Sequence, residues 1–267
     1  MKKIGVVAIA FNESVDLPGF LAHLVSWVDE IIIIDDGSTD NSRRIAADFG
    51  DKVKFIQNKR KKGEYFSHQR NKGIKIATSD WLLHMDIDER VSSELSREII
   101  EAINTEKYDA YKFRRLNYFF HRPMKGGGWS DWNLVHLARR DVLNFSGMFH
   151  EKIELSVGVE RVGQLVNKMH HFNDKSYRDR LSKSLIYQEE LVSYLEKKQI
   201  RISYFNLLLA VIKEFVIKFI YKKGFRDGLP GFISAFHSCF AVFRSYVLVW
   251  ENQNKIERTE LEKLFGE

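Results

Sequence analysis

The chain holds a single cysteine, Cys239, and that residue lies in an apolar stretch. No internal disulfide can form, so a disulfide-stapled scaffold is excluded and a reducing compartment is expected. Cys239 reads as a small core hydrophobe. Internal repeats, low-complexity tracts and long linkers are also lacking, and disorder is not indicated. The glycine run Gly126-Gly127-Gly128 has no helical Lys-Ser/Thr after it, which excludes a P-loop. Beside Trp129 and Trp132 it reads instead as a lid or acceptor loop. No recognition-helix or zinc pattern is present. The apolar run Ile4 to Phe11 behind Met1-Lys2-Lys3 is too short for a signal peptide, and the apparent cleavage site, Ala8-Ile9-Ala10, falls inside it. Asn12-Glu13 then turn the chain, as after a buried first strand, and a cytoplasmic protein is expected.

What the chain does have is size and a basic balance. Its 267 residues, 44% of them hydrophobic, can bury a substantial core in one large domain or a domain plus an appendage. The excess of 42 Lys+Arg over 36 Asp+Glu gives +6, which suits a phosphate-bearing ligand, an anionic membrane surface or a nucleic acid. In the first half, short β-branched runs alternate with amphipathic stretches. Strands are expected over Ile4 to Ala10, Ile31 to Ile34, Val53 to Gln57 and Trp81 to Met85. Helices are expected over Val15 to Trp27, Asn41 to Phe49, Ser67 to Ala77 and Ser92 to Asn104. That order is α/β, with a Rossmann-like parallel sheet flanked by helices. Ligands of such sheets bind beyond the carboxyl ends of the strands, where the polar clusters of this chain also fall.

Two of those clusters carry a chemical reading. Asp86 and Asp88 follow an apolar run and lie one residue apart, so in extended backbone both would face one Mg²⁺ or Mn²⁺. An Asp-x-Asp that merely ends a strand is the plain alternative. After Ile31 to Ile34, four isoleucines suited to a strand buried on both faces, comes Asp35-Asp36-Gly37-Ser38-Thr39-Asp40. Ser38 or Asp40 suits a helix cap. Asp36 suits a different task, accepting the imide N–H of a uracil on which Phe11 stacks. The basic run Lys59-Arg60-Lys61-Lys62 reads as a solvated face, or as a contact for a phosphorylated acceptor or anionic lipid.

Val6 to Glu13, Asp35 to Asp40, Arg70-Asn71-Lys72-Gly73 and Asp86-Ile87-Asp88, in this order, resemble family 2 glycosyltransferases with a GT-A fold. The resemblance covers about the first 175 residues. Gly147-Met148-Phe149-His150-Glu151, His171-Phe172 and Lys223-Gly224-Phe225-Arg226-Asp227-Gly228 look like the branch that includes the lipopolysaccharide core β-1,4-glucosyltransferases, although Phe149 and Arg226 depart from its pattern. The resemblance implies an inverting hexosyl transfer from a nucleotide-diphosphate sugar, UDP-linked, to a cell-envelope glycan or lipopolysaccharide core. It implies donor contacts from Phe11, Asn12, Glu13, Asp36, Arg70 and Asp86, and a divalent cation, Mg or Mn, on Asp88, Asp86 and His171. Such a reaction needs a base apart from the metal site. Glu151, after a glycine-containing bend, is the first choice and Asp131 the second.

After His171 the chain becomes helical. The domains expected are 1–175, binding the nucleotide sugar, and a helical, membrane-associating region over 176–267. From Phe205 to Tyr221 an apolar face opposes Lys213, Glu214, Lys218 and Lys222. Charges at mid-helix argue against a transmembrane span and for a helix lying in the inner membrane surface. Packing of this stretch and of Phe232 to Trp250 on the protein, or in a homo-oligomer, is the alternative. Two rival functions are weighed. A sugar nucleotidyltransferase is expected to carry a glycine-rich, Arg-Lys-containing loop after the first strand, where this chain has Ala10-Phe11-Asn12-Glu13. A nucleic-acid-binding protein is suggested by the pI and by Tyr111 to Arg122, but sheet alternation explains that segment equally well, and no nucleic-acid partner is expected.

Overall fold

The structure is a computed structural model that describes residues 2–147, 151–174, 176–263 and 265. The chain divides into two compact units, Met1–Asn117 with Asp131–Phe172, and Tyr118–Ser130 with Asn173–Glu267.

The first unit is built on a mixed α/β sheet. Strands β1 (Ile4–Ala10), β2 (Glu30–Asp35), β3 (Val53–Gln57) and β4 (Trp81–Asp86) lie in the order β3-β2-β1-β4, all parallel. The helices between them are α1 (Leu17–Leu24), α2 (Ser42–Ala47) and α3 (Phe66–Ile76). Every residue of β2 is buried. Its isoleucines alternate between faces as the pleat requires: Ile31 and Ile33 join Leu17, Phe20 and Leu21 of α1, while Ile32 and Ile34 join Ile74 of α3. Parallel pairing aligns the carboxyl ends, with Ala10 opposite Asp35 and Ile9 opposite Asp86. This register gathers the polar clusters at one sheet edge.

Beyond β4 the sheet becomes mixed. A three-residue strand, β5 (Glu89–Val91), precedes α4 (Ser93–Asn104), whose N-cap Ser92 accepts from the Leu95 amide. The long β6 (Ala110–Phe119) is followed by β7 (Arg122–Pro123), β8 (Asn133–Arg139), β9 (Leu143–Ser146), β10 (Lys152–Leu155), β11 (Val162–Gln164) and β12 (Met169–His171). β8 runs antiparallel to β4 and β6, and β12 lies parallel to β6 and antiparallel to β5. Sheet alternation was read in Tyr111 to Arg122, which holds most of β6 and the start of β7; β5 was not foreseen, since three residues carry no readable period.

Glu30 shows how the sheet is tied to its loops. Its buried carboxylate accepts from the amides of Thr78 (2.7 Å) and Ser79 (2.6 Å) and from Lys54 Nζ (3.0 Å). Burial alone would raise its pKa, but these donors win and hold it down at about 2. A depressed carboxylate adds stability above its unfolded pKa and loses it as pH falls toward the folded value. Between about pH 5 and 2 the protein is therefore expected to lose about 3 kcal/mol through this group. Glu30→Gln should flatten that acid limb in chemical denaturation and lower stability at pH 7 by a similar amount.

The second unit is helical, with α5 (Tyr177–Lys197), α6 (Tyr204–Phe215), wide π-type turns over Val216–Tyr221, and the long α7 (Gly228–Asn254), followed by the short α8 (Arg258–Glu262). Its apolar faces are only partly covered: Phe205, Leu208, Leu209, Ile212, Phe236 and Trp250 are all more than half exposed. The glycine run of this unit, read as a lid or acceptor loop, is held by hydrogen bonds to the segment before α7. The amides of Lys125 and Gly126 both donate to the Asp227 carboxylate at 2.7 Å, and Gly127 N donates to Lys222 O. A Cβ on Gly126 would sit 2.1 Å from Lys223 O, so only glycine allows the approach.

Candidate active site

A cleft of about 400 Å³ opens at the carboxyl ends of β1, β2 and β4, lined by Phe11, Glu13, Asp36, Asp86, Asp88 and His171. All six were expected from sequence. Phe66 and Gln69 of α3 line it as well and were not foreseen. Phe11 and Phe66 are exposed aromatic rings, and Arg60 lies 3.9 Å above the Phe66 ring. The Asp36 carboxylate is held by Arg60, through its amide (2.7 Å), Nε (2.8 Å) and NH2 (2.7 Å). Burial would raise the Asp36 pKa, but the Arg60 contacts bring it below its ordinary value. Asp36 is therefore presented to the cleft together with a guanidinium, one member of the basic run that had read as a solvated face.

Neighbouring loop residues take structural tasks. Asp35 is buried and accepts from Gly37 N, Ser38 N and Ser38 Oγ, which shapes the turn. Asp40 accepts from Ser14 and Ser42 amides, and Ser38 Oγ accepts from Asn12 N. Asn12 Oδ1 accepts from the Thr39 amide at 2.8 Å with Asn12 in a left-handed backbone, φ +56. Its side-chain oxygen thus joins two loops, and Asn12 is not among the residues that line the cleft.

The Arg70-Asn71-Lys72-Gly73 segment explains itself residue by residue. A Cβ on Gly73 would lie 2.5 Å from Val7 Cγ1, so glycine lets α3 press onto β1. That closeness carries Arg70, buried, to the end of β4. Its NH2 donates to Asp86 at 2.6 Å and its Nε to Glu151 at 2.8 Å. Asn71 exchanges two hydrogen bonds with the Phe145 backbone, pinning β9, and Ser67 Oγ donates to Gly147 O. Together they hold the approach to Glu151. Met148, Phe149 and His150 of that motif lie outside the described residues. Glu151 Oε1 is buried with no hydrogen-bond partner among the described residues. Asp131, the second candidate base, is exposed on the approach to β8 and is not part of the cleft lining.

The Asp-x-Asp pair is not the extended face expected from its spacing. β4 ends at Asp86, and Ile87-Asp88 form a turn clamped by Arg90, which donates to the carbonyls of Ile87 and Glu89 at 2.7 Å. Asp86 faces two cations, Arg70 and Arg115 (3.3 Å), and although burial opposes ionisation they hold its pKa far below the usual carboxylate range. Asp88 faces His171 Nε2 at 3.4 Å, and its carbonyl accepts from Phe172 N. Asp88 and His171 thus converge, whereas Asp86 is taken by arginines. Among the described residues no three His, Cys, Asp or Glu side chains are grouped to hold a metal, and of the expected set Asp88 and His171 face each other. The remaining pair still fits a cation. Asn117 Oδ1 accepts from His171 Nδ1 at 2.7 Å, which turns the other ring nitrogen toward the Asp88 carboxylate. Two lone-pair atoms facing each other call for a proton or a metal between them. Few protein ligands suffice when substrate phosphates complete the shell.

Arg115 and Glu89 were missed. Arg115 Nε lies 2.6 Å from the Glu89 carboxylate, which also accepts from Asp86 N. Burial pushes the Glu89 pKa up to about 7 against the pull of Arg115. A signal existed, since Arg115 and Asn117 continue the alternate register of the buried Tyr111 and Phe113, and polar residues on an inward face mark a site.

The model of glycosyl transferase family 2 matches residues 5–151. An uncharacterized glycosyltransferase of Rickettsia typhi is 26% identical over 254 residues, covering 91% of this chain and 85% of that one. One from Rickettsia felis is 26% identical over 276 residues, covering 97% and 95%. Glucosyl-3-phosphoglycerate synthase from Mycobacterium tuberculosis superposes with a TM-score of 0.51 at 15% identity, over 76% of this chain and 82% of that one, a likeness of fold.

Proposed function

We propose, from the premise that the chain belongs to glycosyl transferase family 2 and is a glycosyltransferase, that it moves a hexose with inversion from a UDP-linked sugar to a cell-envelope glycan or lipopolysaccharide core acceptor. The observation that carries this reading is Arg70, which joins Asp86 of the cleft to Glu151 and so sets a carboxylate base beside the donor site. Phe11 and Phe66 offer faces for the nucleobase, and Asp36 with Arg60 offers an acceptor and donors to its polar edge. Asp88 and His171 would hold Mg²⁺ or Mn²⁺, which when bound spreads charge on the departing diphosphate. Glu151 Oε1 takes the proton of the acceptor hydroxyl while that oxygen bonds to the anomeric carbon. The carbon–oxygen bond to the diphosphate breaks on the opposite face, and its electron pair leaves with the nucleotide. Arg70 orients Glu151, and Arg70 with Arg115 keeps Asp86 ionised.

We also assign 1–175 to catalysis and 176–267 to attachment at the inner face of the membrane. The exposed apolar side chains of α6 and α7, with Lys213, Lys218 and Lys222 close in sequence, support peripheral binding. Gly224–Asn254 is long and apolar enough to span a membrane, but Arg244 lies inside it and donates to Ser184.

Thermal unfolding with UDP-glucose, UDP-galactose and UDP-GlcNAc in the presence of Mn²⁺ tests the donor. At a hundredfold excess over Kd, one of them should raise the midpoint by about 5–10 °C. Asp88→Ala should remove the Mn²⁺-dependent part of that shift. If none of the three moves the midpoint, the UDP-sugar reading fails.

A further inference from the structure

The helical unit contains a second cavity, of about 220 Å³, between one face of α5 and one face of α7. Helix pairs of this kind ordinarily close on aliphatic side chains. Here Arg180, Ser184 and Gln188 of α5 meet His237, Ser238 and Ser245 of α7, with Glu214 of α6 at the wall. Buried polar atoms are almost always paired. Yet Arg180 Nε, Gln188 Oε1, His237 Nε2 and Arg244 Nε are all buried without a hydrogen-bond partner among the described residues. Three of those four residues line the cavity. His237 is only 5% exposed, and its other ring nitrogen is 3.4 Å from Tyr177 Oη. Arg244 reaches the cavity through Ser184, to whose hydroxyl its NH2 donates at 2.7 Å. Three unmet polar atoms on the wall of one space, Arg180 Nε, Gln188 Oε1 and His237 Nε2, describe a ligand that is to supply both donors and acceptors.

We infer that this cavity binds a neutral, hydroxyl-rich ligand, one monosaccharide unit of a glycan. The lining decides against an anion. The Gln188 carbonyl oxygen needs a donor, and the Glu214 carboxylate at the wall repels an anion and offsets the charge of Arg180. A sugar hydroxyl is one donor and two acceptors. It can donate to Gln188 Oε1 and to the hydroxyl oxygens of Ser238 and Ser245, whose own hydrogens go to the Ser234 and Ala241 carbonyls, while accepting from Arg180 Nε. Leu191, Ala241 and Val242 supply an apolar patch in the same cavity for the C–H face of a pyranose. Arg180 is itself held in place, with Trp129 4.8 Å away on one side and Asp174 at 3.8 Å. The site belongs wholly to the helical unit, and its occupant is distinct from the donor sugar of the cleft. The inference stands on the cavity alone and does not require the donor assignment.

Saturation-transfer NMR on the full chain, with UDP and Mn²⁺ present in excess, tests it with the methyl glycosides of glucose, galactose, mannose and N-acetylglucosamine. At least one should bind in the millimolar range, at a Kd of roughly 1–10 mM. Gln188→Leu, which keeps the size and removes the acceptor, should weaken that binding about tenfold. Ser238→Ala should weaken it severalfold and serves if the first variant does not fold. Absence of transfer from all four glycosides, transfer abolished by UDP, or transfer unchanged in both variants would overturn the proposal. So would displacement of the glycoside by inorganic phosphate, which would mark an anion site.

Discussion

Glu151→Gln is expected to lower kcat by about 10²- to 10⁴-fold, the usual contribution of a positioned general base. The Kd for the nucleotide sugar should change by less than about twofold, because uniform binding and proton abstraction are separate losses. The substitution keeps the shape of the side chain and an oxygen for Arg70 Nε, now 2.8 Å from the Glu151 carboxylate. What disappears is the anionic Oε1, the buried oxygen that has no hydrogen-bond partner among the described residues. Steady-state turnover together with a donor titration separates the outcomes. Near-normal turnover would discard Glu151 as base and return attention to Asp131. A loss confined to donor affinity would make Glu151 a positioning residue for Arg70.

Arg70→Met is expected to cost about 3–5 kcal/mol of stability and to abolish donor binding. The guanidinium is buried and neutralises two carboxylates that face it from β4 and from the segment before β10. Removing it leaves Glu151 without an ion pair among the described residues but Asp86 still with Arg115, and because Arg115 stays, the lower half of that range is expected. The double variant Arg70→Met/Glu151→Gln should recover about 1–2 kcal/mol relative to Arg70→Met, because the charge that lost its partner is gone too. Arg70→Lys should not rescue the wild type, since one ammonium cannot repeat a fork that bonds two separate carboxylates. Chemical denaturation at pH 7 checks all three. Additivity of the two single variants would show that Arg70 and Glu151 are not coupled.

Much of the donor half was legible because its signals are local. Four isoleucines between Asp29-Glu30 and Asp35-Asp36 suit a strand buried on both faces, and its carboxyl end is where a parallel sheet exposes polar groups. Phe11, Asp36, Asp86 and Asp88 were named from such positions and His171 from the resemblance, and one cleft collects them. The roles within that cleft were harder to assign. Asn12, a donor contact by the resemblance, stands in a left-handed turn beside another loop, and its side-chain oxygen closes the two together. Asp86 and Asp88 looked equivalent by spacing, but the strand stopped between them and the two point to different partners.

By itself, then, the sequence determined the parallel strands, the helices between them and the glycine at position 73 through which α3 lies against β1. Those depend on patterns a few residues long, which act wherever the chain goes. Only the tertiary structure decided that Arg115, from the middle of β6, would stand beside Asp86, and that His171, from β12, would face Asp88. Each pairing depends on the register of strands far apart in the chain, and register is set by the packing of whole faces rather than by the residues that meet. The same holds for Arg60, whose charge is equally at home in water or on Asp36 until the path of its loop is known.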